Sequence, residues 1–409
     1  MTLTDSPRIG IIGGGIQGCT IAMELARHGI ASEILEQSLT LMDRASRWNE
    51  GKLHLGFVYA RDESMATARA MVEGSCAFFP FFHQFLGDSI HSVGHSSSFD
   101  YVVHRDSLVP PAEMFDYLRH CEALLINHAS SADYWPAAKR PRITPIDHAT
   151  HYNPELVAAA FRTPEISINP HRLAELVRTY ALSHPLIHVS TNTEVRTISR
   201  SPGGTFTVEG KEHTPARHYD LVVNASWESR LALDHQLGLT PPYRWLHRYK
   251  MACQIRGANV IDAPSATIAL GAFGDLVNFG DGSYYLSWYP DGKIDESSDL
   301  KPREAELSLT PAAKATLQSQ FLHELTQLIP SLAQLDLRHA QSIVRGGHIF
   351  AWGDKDVDHY NTQLHERAST GVTTHFDTYH TVNTGKYCSA PLNARETCHR
   401  ILESLQLAH

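Results

Sequence analysis

An apolar run, Ile9 to Ile12, breaks into Gly13, Gly15 and Gly18, and a helical pattern follows from Ile16 to His28. A second apolar stretch then ends in an acid, Glu36. Strand, glycine turn, helix, strand and acid in this order form the fingerprint of a dinucleotide-binding βαβ unit. The first glycine permits the tight turn, the second admits a pyrophosphate close to the backbone, and the third lets the helix lie on the sheet. Glu36 is placed to accept hydrogen bonds from ribose hydroxyls, and Ile16, Gln17 and Gln37 flank these positions as further cofactor contacts. A glycine triplet alone would mean little, because turn glycines are common, so its setting carries the assignment. The motif leaves both NAD and FAD open.

The 409 residues suffice for two or three domains. A net charge of −9 with no basic stripe argues against a nucleic-acid partner. No stretch approaches the roughly 18 uninterrupted apolar residues of a membrane span, and the N-terminus does not read as a signal peptide. The six cysteines are scattered without CxxC pairs, which fits reduced thiols and a cytoplasmic setting. The 26 histidines include the i, i+3 pair His148 and His151 but no recognisable ligand set, so no metal is expected.

Three stretches read as parts of one discontinuous nucleotide-binding domain: residues 1–75, 166–235 and 341–409. The middle stretch opens with the helix-start signal Asn169-Pro170 and ends in a fully apolar strand, Leu221 to Val223, leading to Asn224 and Ala225. The last contains a helix from about Leu392 to Leu405. Residues 76–165 and 236–340 are patterned differently. They include the aromatic alternation Tyr284-Tyr285-Leu286-Ser287-Trp288-Tyr289 and read as a substrate domain whose sheet roofs the cofactor.

The segment Ala45-Ser46-Arg47-Trp48-Asn49-Glu50-Gly51-Lys52-Leu53-His54-Leu55-Gly56-Phe57-Val58-Tyr59 is similar to the flavin-contacting loop of L-2-hydroxyglutarate dehydrogenases. More broadly, the chain resembles FAD-dependent oxidoreductases of the D-amino-acid oxidase superfamily. The resemblance implies an α/β, Rossmann-like FAD-binding domain with an inserted α+β substrate domain carrying a mostly antiparallel sheet. It also implies that Ser46, Asn49, Gly51, Lys52, Leu53 and His54 pass along the flavin and its phosphates. Val195 resembles the position whose backbone meets adenine. Asn224 and Ala225 resemble the family's strand end near the pyrophosphate, with Ser226 in place of the usual glycine. Gly385, Lys386 and Tyr387 occupy the place of the segment that faces the flavin's pyrimidine side. The dispersal of the nucleotide-binding pieces favours FAD over NAD, since a nicotinamide dehydrogenase usually completes its Rossmann domain first. Cys388 and His54 are positions where related enzymes attach flavin covalently, but the surrounding residues do not match, and noncovalent FAD is expected.

Within that resemblance His54 is the candidate base, since a histidine near neutral pKa could take a hydroxyl proton as hydride leaves. Arg345, followed by two glycines, stands where the superfamily places a guanidinium fork for a substrate carboxylate, and His348 is a further candidate substrate contact beside it. Tyr285, Trp288 and Tyr289 are candidate substrate contacts of the roof. Lys386 is a candidate catalytic lysine at the flavin edge. The expected reaction is removal of a hydride from a C–H beside a hydroxyl or amine of a small polar molecule expected to be anionic, with oxygen or a quinone as electron acceptor. The alternatives are an NAD-dependent dehydrogenase and a flavin-binding protein without turnover.

Overall fold

The apolar strands gather into a parallel sheet because neither face can be left to water. In the computed structural model, which describes residues 7–138, 140–211, 215–357, 359, 362–367 and 369–407, Ile9–Ile12 is fully buried at the centre of a six-stranded sheet. It pairs in parallel with Ser32–Leu35 on one side and Leu221–Asn224 on the other. Ile187–Ser190 extends the sheet beyond Ser32–Leu35, and Tyr379–Asn383 extends it beyond Leu221–Asn224, both in parallel. Gly371–His375 closes that second edge antiparallel. After Ile9–Ile12 the chain passes through helix Ile16–Arg27 to the strand on one side, and much later segments fill the other side. That reversal opens a crevice at the carboxyl ends of the strands. Helix Pro170–Ser183 begins as its sequence signal indicates, with the Asn169 side chain accepting from the amides of His171 and Arg172.

A second, nine-stranded and mostly antiparallel sheet is built around the long strand Trp245–Arg256. Period-two alternation divides this strand between two jobs. Tyr249, Met251, Cys253 and Ile255 pack into a core with Phe321, Leu325 and Leu328 of helix Pro311–Leu328. Arg248, Lys250 and Ala252 face the other way, toward the parallel-sheet unit. Gln254 on the same face hydrogen-bonds Arg47 and His171 across the gap.

One boundary differs from the sequence expectation. Residues 341–352, assigned with 341–409 to the nucleotide-binding domain, form the strand Gln341–Trp352, which pairs along the whole of Trp245–Arg256 in the second sheet. The apolar run there satisfies its backbone against the roof, and the chain returns to the parallel sheet only at Gly371. Among the described residues no helix is long and apolar enough to cross a membrane. All six cysteines are free and buried.

Candidate active site

A cavity of about 360 Å³, within the size range of small-molecule and cofactor sites, runs from the strand ends of the parallel sheet to the underside of the second sheet. Its nucleotide end is made by the glycine turn. Gly13 has φ +103°, and a Cβ there would lie 2.5 Å from the Ala225 carbonyl oxygen. A Cβ on Gly18 would lie 1.9 Å from the Gly13 carbonyl oxygen, so this glycine lets helix and turn touch. Gly15 faces the cavity, and the amide of Ile16 at the helix start donates to the Ser46 hydroxyl (2.8 Å). Glu36 is oriented by two backbone donors, Gly14 N–H at 2.7 Å and Ser38 N–H at 2.6 Å. Burial raises its pKa, against the pull of those amides. Ser226 stands where a glycine was expected, and its hydroxyl turns back to donate to Asn224 Oδ1 (2.6 Å), so the side chain stays out of the way.

The inner end is lined by Asn49, Glu50, Lys52, His54, Tyr59, Thr384, Gly385, Lys386 and Tyr387. Asn49 shapes the loop by donating to the Ala45 carbonyl and accepting from the Gly51 amide. His54 Nε2 lies 3.6 Å from Glu50 and its Nδ1 3.9 Å from Glu165, a carboxylate fixed by Leu55 N–H and the Tyr101 hydroxyl. Burial, then Lys386, pushes the His54 pKa down to about 3, so the ring is neutral at neutral pH and a weak proton acceptor. Lys52 reaches out of the loop to Asp275 (2.8 Å) and Thr267 (2.5 Å) of the second sheet, with its ammonium over the Phe99 ring. Lys250 approaches the same Asp275 carboxylate at 3.6 Å.

The roof adds a second charged group. Arg248, fully buried, donates to Tyr289 Oη (2.9 Å) and Asp356 Oδ1 (3.0 Å), while the Tyr289 hydroxyl donates to the same carboxylate oxygen. Arg367, with His365 beside it, also lines the cavity and donates to the Phe350 carbonyl (2.7 Å). Burial lowers the pKa of His365 and His348 as well.

Of the sequence candidates, Gly13, Gly15, Ile16, Gln17, Glu36, Gln37, Ser46, Val195 and Ala225 line the nucleotide side. Tyr289 and His348 line the wall with them, and His348 is approached by Trp227, whose indole N–H donates to the His348 carbonyl.

Others need correction, because they do not line the cavity. Arg345 pairs with Glu306 (3.3 Å) and lies over the Trp48 ring. Its strand runs beneath the Asp43–Trp48 loop, where Gly347 abuts Ala45, and meets the cavity only at His348 and Ile349. Tyr285 is sealed in the core, and Trp288 packs with Phe273 on the second core. Gly51 has φ +69° with the Ile168 carbonyl against it, and Leu53 is a buried strand residue. Gly18 is covered by the turn, and Asn224 spends its amide on Arg230, Asp234 and Tyr379. These four shape the walls from behind. Cys388 is buried beside Ser75, away from the cavity.

Arg248, Lys250, Asp275, His365 and Arg367 were not singled out from sequence. For Arg248 and Lys250 the signal was present: in Trp-Leu-His-Arg-Tyr-Lys-Met-Ala-Cys-Gln-Ile-Arg they share the face opposite Tyr249, Met251, Cys253 and Ile255. Arg367 follows an irregular segment and carried no such signal.

A family model described as FAD dependent oxidoreductase matches residues 8–368. Among solved structures, L-alpha-glycerophosphate oxidase from Mycoplasma pneumoniae with FAD bound superposes with a TM-score of 0.65 at 16% identity, covering 98% of this chain and 95% of that one. Glycine oxidase from Geobacillus kaustophilus gives 0.67 at 15%, covering 97% and 95%. L-proline dehydrogenase from P. horikoshii gives 0.64 at 16%, covering 98% and 94%. At these identities the likeness is one of fold. FAD-dependent monooxygenase FPY4 of Fusarium mangiferae is 47% identical over 53 residues, a match spanning 13% of this chain and 14% of that protein.

Proposed function

The chain belongs to the D-amino-acid oxidase family of FAD-dependent oxidoreductases, and from that premise we propose that it takes a hydride from a C–H beside a hydroxyl or an amine of a small, polar, anionic substrate. The cavity suits FAD on its own terms. The N-terminus of a 12-residue helix faces it, Gly15 lines it without a side chain, and Glu36 is held beside the turn by the Gly14 amide. Gly13, Gly15, Ile16, Glu36 and Val195 would hold the ADP portion, and Ser46, Asn49, Lys52, His54, Gly385 and Lys386 the flavin portion. The chemistry FAD supplies when bound is acceptance of the hydride.

The observation that carries the anionic substrate is the pair of buried guanidiniums at the inner end, Arg248 and Arg367, in a chain whose overall charge is −9. Arg248 is already paired with Asp356, whereas Arg367 has no ion-pair partner among the described residues; burying such a cation is costly without a purpose, and a guanidinium fork matches a carboxylate or phosphate. The anchor role expected of Arg345 passes to these two. Tyr289 fixes Arg248, and His54, neutral at working pH, serves as a hydrogen-bonding wall of the loop. For an amine the unprotonated nitrogen's lone pair assists hydride departure. For a hydroxyl the proton must also leave.

The names of the structural neighbours, covering glycerophosphate, glycine and proline, span both substrate kinds and support a test of both. The purified flavoprotein is mixed anaerobically with 2-hydroxy acids, phosphorylated alcohols, amino acids and secondary amines, and bleaching of the oxidised-flavin band is followed. Reoxidation with oxygen or a quinone then identifies the acceptor. Failure of every class to bleach the flavin would overturn the proposal.

A further inference from the structure

Away from the cavity, helix Ala66–Leu86 ends in a turn that brings three ligating side chains together. Gly87 has φ +55°, its amide donates to the His83 carbonyl, and the chain passes there into the 3₁₀ segment Gly87–Val93, which packs against the helix it has left. With three residues per turn, side chains three apart in such a segment share one face. Ile90 and Val93 are buried and pin it to the core. Asp88 and His91 share a different face, in solvent, and meet His83 from the last turn of the helix. One ligand atom from each of His83, Asp88 and His91 lies within 4.8 Å of the other two, and His83 Nε2 is 3.7 Å from Asp88 Oδ1. Phe79, one helical turn before His83, supports the group from beneath. Its ring stacks on His83 (centroids 5.5 Å apart, planes 19° apart), meets His91 (5.5 Å) and is held edge-on by the buried Trp135 (5.3 Å). Both imidazoles thus rest on one fixed surface, which reduces the rotamer freedom left to lose when they bind something.

We propose that His83, Asp88 and His91 bind a divalent transition-metal ion of the zinc class, with water completing the coordination. Two imidazoles and a carboxylate suit such an ion, whereas magnesium and calcium take oxygen ligands. Ligands on one tetrahedral zinc stand about 3.4 Å apart, so His83 and Asp88 are already near that spacing, and exposed side chains can close the rest. Among the described residues the Asp88 carboxylate has no ion pair except with His83. The bound ion would clamp the last turn of the helix to the segment that follows it. It would take no part in the reaction: the same helix reaches the cavity wall elsewhere, at Phe78, which packs on the cavity-lining Tyr387 (5.7 Å).

The FAD-loaded full-length protein is stripped with EDTA, dialysed free of chelator and titrated with zinc chloride by calorimetry. His83→Gln and His91→Gln should each weaken the tightest zinc binding at least about tenfold, since losing a ligand costs no less than losing a residue that only supports one. All three side chains are exposed, so the variants should keep the wild-type flavin spectrum and zinc-free unfolding midpoint. Zinc should raise the midpoint of the wild type and not that of the double variant, as for an ion that binds only the folded chain, and magnesium should raise neither. Zinc affinity unchanged by both substitutions, no uptake by about 0.1 mM zinc, or an equal effect of magnesium would overturn the proposal. Flavin bleaching is not the readout, so this result is independent of the activity proposed above.

Discussion

Asp275→Asn removes the carboxylate shared by Lys52 and Lys250 while keeping its shape. The Lys52 side chain is 2% exposed and its ammonium is 2.8 Å from Asp275. Removing one partner of such a buried pair costs about 3–5 kcal/mol, because the remaining charge stays desolvated. The chemistry sets a ceiling of similar size. Lys52 can shed its proton, and from an ordinary pKa of 10.5 this costs about 5 kcal/mol at pH 7, at about 1.4 kcal/mol per pH unit.

The pH dependence follows from the direction of each shift. In the wild type burial lowers the Lys52 pKa, but Asp275, Glu165 and Glu50 outweigh it and raise the folded-state value. Its stabilisation is therefore complete below the unfolded value and is lost only as pH rises through the folded one. In Asp275→Asn the folded-state value falls below the unfolded one. The unfolded chain then binds more protons, and stability climbs with pH. The gap between the two proteins should thus be widest near about pH 7 and close toward about pH 10. Urea unfolding with excess FAD, followed by circular dichroism at stepped pH, measures it. Lys52→Met combined with Asp275→Leu should recover most of the loss, since an apolar pair leaves no stranded charge. A loss under about 1 kcal/mol, or a gap that does not vary with pH, would refute the reasoning.

Gly18→Ala would drive a methyl into the Gly13 carbonyl and part the helix from the turn. An overpacking cost of about 1–3 kcal/mol should weaken FAD binding about fivefold to 150-fold, and unchanged affinity in a fluorescence titration would count against this packing. His54→Gln should keep the form of the wild-type kcat/KM profile between about pH 5 and 8, because the His54 pKa of about 3 lies outside that window; a lost limb would reinstate the ring as a base. Arg345→Ala should cost under about 1 kcal/mol of stability, as for other part-exposed ion pairs, and leave KM unchanged. A large rise in KM would restore Arg345 as a substrate anchor.

The nucleotide end was legible in the sequence because its determinants are local. Gly13 needs glycine for its positive φ, Gly18 for the Gly13 carbonyl against it, and Glu36 is held by the Gly14 amide, all within one βαβ unit. The inner end depends on which strands become neighbours. Arg345 has the composition of an anchor, but the pairing of Gln341–Trp352 along Trp245–Arg256 sets it beside Trp48. Arg248 obeys the alternation of its own strand, yet its importance appears only when Asp356 and Tyr289 arrive from elsewhere in the chain. Tyr285 shows the same limit from the other side: alternation gives its face but not whether that face meets a cavity or a core. An ordinary imidazole would be a competent base, and the burial that disarms His54 is a property of the assembled fold.

The central strand Ile9–Ile12 takes one parallel neighbour from residues 221–224, and that neighbour takes its own from residues 379–383. Helix Ile16–Arg27 is likewise sealed by the last helix, with Gln17 donating to Ala390. During synthesis the fingerprint therefore emerges first but waits for most of the chain before its sheet has both sides. Until then its apolar edge is open to wrong partners, as for other slow-forming parallel pairings. Residues 384–387 complete the inner end of the cavity from late in the chain, so free FAD should rescue refolding yield only in chains that extend past them.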